Sequence, residues 1–266
     1  MATKIGYHIS ISGGLKKTAK AITEQKLSAV QIFPGSPRSY FPGTKYTEED
    51  FSAMKNINIP KFVHINYFVN LAGDNPVTPK SVAENMIFAD KIGANGLVIH
   101  MGSNKNIEEG MKFSVEHLGE TFRKYEKLTG NKPSVKILIE TTAEGGNRLK
   151  LDKILELKEL LPEINFVFDS AHLYAAGYSA HDIVELIEEH YDKIDLMHLN
   201  NPSPNVEFGK HKDQHDISLF SEDGKFSKRE IENIMTMCSL KNIPMILETG
   251  SMESDLEFIY ENYQNL

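Results

Sequence analysis

The chain has 266 residues, 40% hydrophobic and 25% charged, with a formal net charge of −8. That composition is ordinary for a globular protein, and no run approaches the ~20 apolar residues a membrane span needs. A single cysteine, Cys238, excludes an intramolecular disulfide and a thiolate metal cluster, and the acidic balance argues against bulk attraction to polyanions.

The N-terminus carries no apolar run of the signal-peptide kind, so a cytoplasmic location is expected. It leads straight into a candidate strand, Lys4-Ile-Gly-Tyr-His8. Ala29-Val-Gln-Ile-Phe33 is a second, followed by a loop with two prolines, Phe33-Pro-Gly-Ser-Pro-Arg-Ser-Tyr40. Thr47-Glu-Glu-Asp reads as a helix start, a cap residue with an acid three positions on. Phe62-Val-His-Ile65 and Gly96-Leu-Val-Ile-His100 are the next two strands. Met111, Val115, Leu118, Phe122 and Tyr125 then recur at three- and four-residue spacing, which marks one buried helix face. Lys136-Ile-Leu-Ile-Glu140 is a strand, and Leu151 to Leu161 is helical by propensity. Phe166-Val-Phe-Asp169 and Ile194-Asp-Leu-Met-His198 are strands, Ser227-Lys-Arg-Glu opens another helix, and Pro244-Met-Ile-Leu-Glu248 is the eighth strand. Strands alternating with helices imply a parallel sheet. Eight such units predict closure into a (β/α)8 TIM barrel, one domain over residues 1–266.

Six of the eight runs end in or beside a metal-capable side chain: His64, His100, Glu140, Asp169, His198 and Glu248. His8 ends the first. Taken singly, a histidine at a strand end is more often a hydrogen-bonded rim residue, and Asp169 could simply cap the next helix. Together they are harder to explain without cations, because buried carboxylates lose hydration and repel one another. Two fragments add donors. A turn after the sixth strand could direct Asp169 and His172 inward together. Asp213 and His215 form an i, i+2 pair, which extended backbone points one way; His211 shares that parity but reads as solvent- or substrate-facing. Imidazole and carboxylate without sulfur suit zinc, manganese or iron. Nine donors suffice for two or three ions, a number used for in-line displacement at phosphorus.

These residues sit in segments that resemble the endonuclease IV-type apurinic/apyrimidinic (AP) endonucleases of base excision repair. The matching segments are VHINYFVNLAG (63–73), VIHMGS (98–103), ILIETTAEGG (137–146), FDSAHLYAAGY (168–178), MHLNN (197–201), KDQH (212–215) and ILET (246–249). They keep the family's order over nearly the whole chain. The resemblance implies a TIM barrel with a trinuclear zinc centre: His64, His100 and Glu140 on one ion; Glu140, Asp169, His198 and Glu248 on a second; His172, Asp213 and His215 on a third. It implies hydrolysis of the phosphodiester 5′ to an abasic site in duplex DNA, leaving a 3′-hydroxyl and a 5′-deoxyribose phosphate, with Glu248 orienting or deprotonating the nucleophile and Glu140 bridging. Arg38, Tyr67 and Phe68 match the residues that enter the helix where the nucleotide is extruded, although core packing is the plain alternative for Phe68. The implied partner is double-stranded DNA with abasic sites, with no membrane, a monomeric enzyme, and a location wherever DNA is maintained. Bound divalent ions would offset the acidic charge, and Lys210, Lys212, Arg148 and Arg38 fall on expected loops of the same face.

The chain departs from the family in places. Gln214 stands where an arginine is common, Asn201 where an acid is common, and Asp216 to Gly224 replaces a glycine-rich pattern. A competing reading is a xylose isomerase-like sugar isomerase or epimerase with a single divalent metal on Glu140, Asp169, His198 and Glu248. That enzyme needs no His64/His100 pair, no Asp213/His215 pair and no intercalating loop. A non-catalytic binder of abasic DNA is a second alternative, and it would not need Glu248.

Overall fold

All eight apolar runs form strands in a computed structural model, which describes residues 3–36, 39–43, 45–143 and 150–263. They are β1 (Ile5–His8), β2 (Ala29–Ile32), β3 (Lys61–His64), β4 (Gly96–His100), β5 (Lys136–Glu140), β6 (Ile164–Asp169), β7 (Ile194–His198) and β8 (Met245–Leu247). Each pairs in parallel with the next, and β8 closes on β1. Strands covered on both faces have no solvent side to leave polar, which is why they read as unbroken apolar runs.

Successive side chains of a strand point to opposite faces, and the packing shows which face is which. Ala29, Phe62, Val98, Leu138, Val167, Leu196 and Ile246, one from each of β2 to β8, make a buried cluster of their own. Their neighbours, among them Val30, Val63, Leu97, Ile137, Phe166, Met197 and Leu247, join a separate cluster with helical residues. The first set is therefore a layer inside the barrel, and the second faces the surrounding helices. Two residues further along each strand, on the same inward parity, stand Gln31, His64, His100, Glu140, Asp169, His198 and Glu248. Gly6 precedes His8 in the same way on β1. One polar residue per strand is thus stacked above an apolar layer, at the C-terminal mouth.

The outer ring comprises α1 (Leu15–Glu24), α2 (Glu48–Lys55), α3 (Thr78–Lys91), α4 (Ile107–Thr129), α5 (Leu151–Leu160), α6 (Ser170–Ala176), α7 (Ala180–His190), α8 (Lys228–Leu240) and α9 (Met252–Asn262). The stripe from Met111 to Tyr125 is the inner face of α4, with Leu118 and Tyr125 buried. Thr47 and Ser227 form the expected capping boxes, with Asp50 and Glu230 reaching back to the cap N–H groups. The turn expected after β6 is the first turn of α6, with Asp169 as its cap, accepting from the N–H groups of Ala171 (2.7 Å) and His172 (2.9 Å). Gly177, at φ 105°, ends α6 in the left-handed conformation that glycine tolerates. No helix among the described residues is long and apolar enough to cross a membrane.

Candidate metal centre

Glu140 lies at the middle of the polar layer and is 1% exposed. Its Oε2 is 3.1 Å from His64 Nε2 and 3.4 Å from His100 Nε2, and its Oε1 is 3.2 Å from His198 Nδ1 and 3.3 Å from His172 Nδ1. Three overlapping groups each have their donor atoms within 4.8 Å of one another: His64, His100 and Glu140; Glu140, Asp169, His198 and Glu248; and Asp169, His172 and His215. The first two are the sets named from the sequence. In the third, Asp169 stands where Asp213 was expected, beside His172 and His215. Asp213 is nonetheless adjacent, with Oδ2 3.0 Å from His172 Nε2 and Oδ1 3.6 Å from His215 Nε2, at the open rim of the site.

Hydrogen bonding fixes which way several of these rings face. Nδ1 of His64, His172 and His215 approaches the backbone carbonyls of Ile65 (2.6 Å), Thr141 (2.8 Å) and Glu248 (3.3 Å). A carbonyl only accepts, so Nδ1–H donates in each case. In the neutral ring Nε2 then presents a lone pair, and on His64 and His172 it faces a carboxylate oxygen about 3 Å away. Two acceptors at that distance need either an added proton or a cation between them. The chemistry of the donor set therefore fits divalent ions, with the second ring nitrogen anchored as it is in metal-ligating histidines.

Without ions, protons supply the compensating charge. Burial alone would push His198 down, but Glu248 and Glu140 lift it to about 9. His172 is likewise raised well above the usual imidazole range: burial opposes this, and Asp169, Asp213 and Glu140 overcome it. His100 goes the other way, to about 4, because burial outweighs the pull of Glu140. Burial would raise Glu140 and Glu248, yet the first is held well below its ordinary value by His100 and His198, and the second by His198 and His8. Asp213 is lowered by His172 against its burial.

Asp169 fills both roles weighed for it. Its Oδ1 caps α6, while Oδ2 accepts from Asn200 Nδ2 at 2.7 Å and lies 3.8 Å from His198 Nδ1. Asn200 also accepts from the Glu248 N–H (3.0 Å), so one buried amide ties β7 to the end of β8. Neither Asn200 nor Gln31 was identified from the sequence. Gln31, fully buried, donates to Glu248 Oε1 at 2.7 Å and meets His198 Nε2 at 2.9 Å. Inward parity was the available signal for both.

His211 is exposed and has φ 59°, which breaks the extended parity that would have aimed it with Asp213 and His215. Tyr67 and Phe68 follow β3 and are 66% and 50% exposed, so Phe68 is not a core residue. The Tyr67 ring lies 5.8 Å from that of His64, and a cavity of about 390 Å³ opens among Tyr67, His100, Thr142, His172 and Asp213. Arg38 and Arg148 lie outside the described residues. Asn201 is buried and structural: its amide bonds to the carbonyls of Leu219 and Phe226 and accepts from the Phe226 N–H. The divergent segment after His215 is fastened by Asp255, which accepts from Ser218, the Leu219 N–H and Thr249.

Residues 19–262 match the family model of the xylose isomerase-like TIM barrels. A relative named probable endonuclease 4, from Carboxydothermus hydrogenoformans, is 31% identical over 95% of this chain and 93% of its own length. Among solved structures, endonuclease IV from Thermus thermophilus superposes with a TM-score of 0.81 at 23% identity, covering 97% of this chain and 98% of that one. A D-tagatose 3-epimerase-like protein superposes with a TM-score of 0.71 at 16% identity, over 97% and 96% of the two chains. The barrel alone thus does not choose between nucleic acid and sugar chemistry.

Proposed function

The chain belongs to the endonuclease IV branch of the xylose isomerase-like TIM barrels, and on that premise we propose that it is a DNA repair enzyme that hydrolyses the phosphodiester 5′ to an abasic site in duplex DNA. The products are a 3′-hydroxyl and a 5′-deoxyribose phosphate. One observation carries the reading: nine imidazole and carboxylate groups from across the chain converge in contiguous sets at the barrel mouth.

In this reading zinc is the resident metal, three ions per chain, with manganese or iron as substitutes. His64, His100 and Glu140 would hold one ion; Glu140, Asp169, His198 and Glu248 a second; His172, Asp213 and His215 a third. Bound divalent ions supply acidified water and charge compensation for phosphate oxygens. Glu248, a ligand acid with 20% of its side chain exposed, would orient or deprotonate the attacking water. Tyr67 and Phe68 stand exposed beside the site, where they would enter the helix and fill the gap left by an extruded nucleotide. Arg38 is assigned the same task on the resemblance alone. Lys210 and Lys212, exposed on the segment leading to Asp213, add local positive charge for the backbone. The enzyme is expected to act as a monomer wherever DNA is maintained.

A sugar isomerase or epimerase would use only the set of Glu140, Asp169, His198 and Glu248. The additional imidazoles and the exposed aromatic pair favour the nuclease. The test is a duplex with one abasic site, end-labelled on the damaged strand. A fragment ending in an extendable 3′-hydroxyl on the 5′ side of the lesion is expected. An uncut strand, or cleavage 3′ to the lesion by elimination, refutes the reading.

A further inference from the structure

His198 differs from His64, His172 and His215 in one respect. Those three rings anchor Nδ1 on a backbone carbonyl and turn Nε2 toward a carboxylate, His172 Nδ1 lying in addition 3.3 Å from Glu140 Oε1. His198 is inverted: its Nδ1 faces Glu140 Oε1 (3.2 Å), Glu248 Oε2 (3.3 Å) and Asp169 Oδ2 (3.8 Å), while Nε2 points to the side chain of Gln31 (2.9 Å). Its anchor is therefore a replaceable side-chain amide.

The chemistry of that amide leaves a single arrangement. A carboxylate only accepts, so the Gln31 NH2 must face Glu248 Oε1, 2.7 Å away. The Gln31 carbonyl then faces His198 Nε2, which must carry a proton to donate to it. The neutral ring consequently has its lone pair on Nδ1, aimed at the three carboxylates. Glu248 is fixed by the same contact: Oε1 is held by Gln31, and Oε2 is turned toward His198 and the cluster. The Gln31 NH2 also lies 3.3 Å from His8 Nδ1.

We propose that Gln31 is a positioning residue which sets the tautomer of His198 and the orientation of Glu248 by one bidentate amide, and so tunes the middle metal site separately from its neighbours. The proposal deepens the metal-centre reading and rests on it. Losing such an outer partner typically weakens metal binding about 10–100-fold. The partition among sites follows from the contacts, since among the described residues Gln31 is hydrogen-bonded to His198, Glu248 and His8 and to no donor of the other two sets.

The test uses Gln31→Met, which keeps the volume and removes the amide, and Gln31→Glu, which keeps an oxygen for His198 but offers Glu248 no donor. Zinc is titrated into chelator-stripped protein against a chromophoric chelator. One ion is expected to bind about 10–100-fold more weakly in both variants, with the others unchanged. Nitrogen–proton spectra of histidine-labelled stripped protein give a readout independent of metal. The buried Nε2–H of His198 is expected to exchange slowly in the parent and in Gln31→Glu, and to lose that protection in Gln31→Met. Unchanged zinc binding in both variants overturns the proposal, as does equal weakening of every ion with a lowered Tm, which marks a packing role. A parent that binds no zinc ends the metal reading and this inference together. A parent that binds zinc equally well with and without the amide ends this inference alone.

Discussion

Stripping the metal exposes an electrostatic balance that should shape the stability of the protein against pH. In the folded chain His198 holds its proton up to about pH 9, whereas an unfolded histidine releases it near 6.5. The stability it contributes is therefore fully present below pH 6.5 and lost as pH rises through 9. At 1.36 kcal/mol per unit this is on the order of 3 kcal/mol, and His172 acts in the same direction. His100 has the opposite sign. Its folded value of about 4 means the unfolded chain takes up a proton below 6.5 that the folded chain refuses, so acidification from 6.5 toward 4 costs a similar amount. Glu140 and Glu248, held low when folded, add to the loss once the pH falls below the ordinary carboxylate value. The stripped protein should be most stable near pH 6.5 and weaken on both sides. Urea midpoints after exhaustive chelation, from about pH 5 to about pH 9.5, measure this. Saturating zinc should abolish the alkaline decline, because the ion replaces those protons. A stripped protein whose midpoint stays level or climbs from about pH 6.5 to 9 refutes the reasoning.

Three further outcomes are expected. Glu248→Gln, a near-isosteric change, should keep affinity for abasic duplex within a few-fold while incision falls about 10²–10⁴-fold; full retained activity removes Glu248 from that role. Replacing Tyr67 and Phe68 together by alanine should lower the preference for abasic over intact duplex about 10–100-fold, the scale of lost base stacking, with ion content unchanged by elemental analysis; an unaltered preference contradicts their placement. Cys238 is buried in α8 and its thiol is pushed up to about 12 by burial. A thiol reagent at about pH 8 should leave it untouched until urea unfolds the chain, and rapid labelling of native protein would show the packing assigned to α8 to be wrong.

Much of the barrel was legible because burial on both faces strips a parallel strand of polar residues, so that each reads as an apolar run. The ends of those runs announced themselves for the same reason: His64, His100, Glu140, Asp169, His198 and Glu248 are charged or titratable breaks in otherwise dry segments. Gln31 escaped because a neutral amide inside Ala29–Ile32 resembles a tolerated polar substitution rather than a terminus. The inward parity of Ala29 and Gln31 identifies it only when the strands are placed in register. Asn200 escaped similarly, since it lies beyond β7 and acts by joining two strands distant in sequence. Both readings of Asp169 hold at once, because the same carboxylate serves the helix cap and the cluster, and a motif of four residues does not separate those tasks. His211, read as solvent- or substrate-facing despite its parity, is exposed: one positive φ cancels an alternation that assumes extended backbone.

The central claim, convergence of nine donors to hold ions that cleave abasic DNA, is tested most directly by native mass spectrometry of the zinc-loaded chain with incision followed as ions are removed by graded chelation. Three zinc ions per chain are expected, with incision of the abasic duplex lost as they are withdrawn and recovered on readdition. A chain that binds one ion, or that cuts the abasic strand undiminished after every ion has gone, contradicts the account.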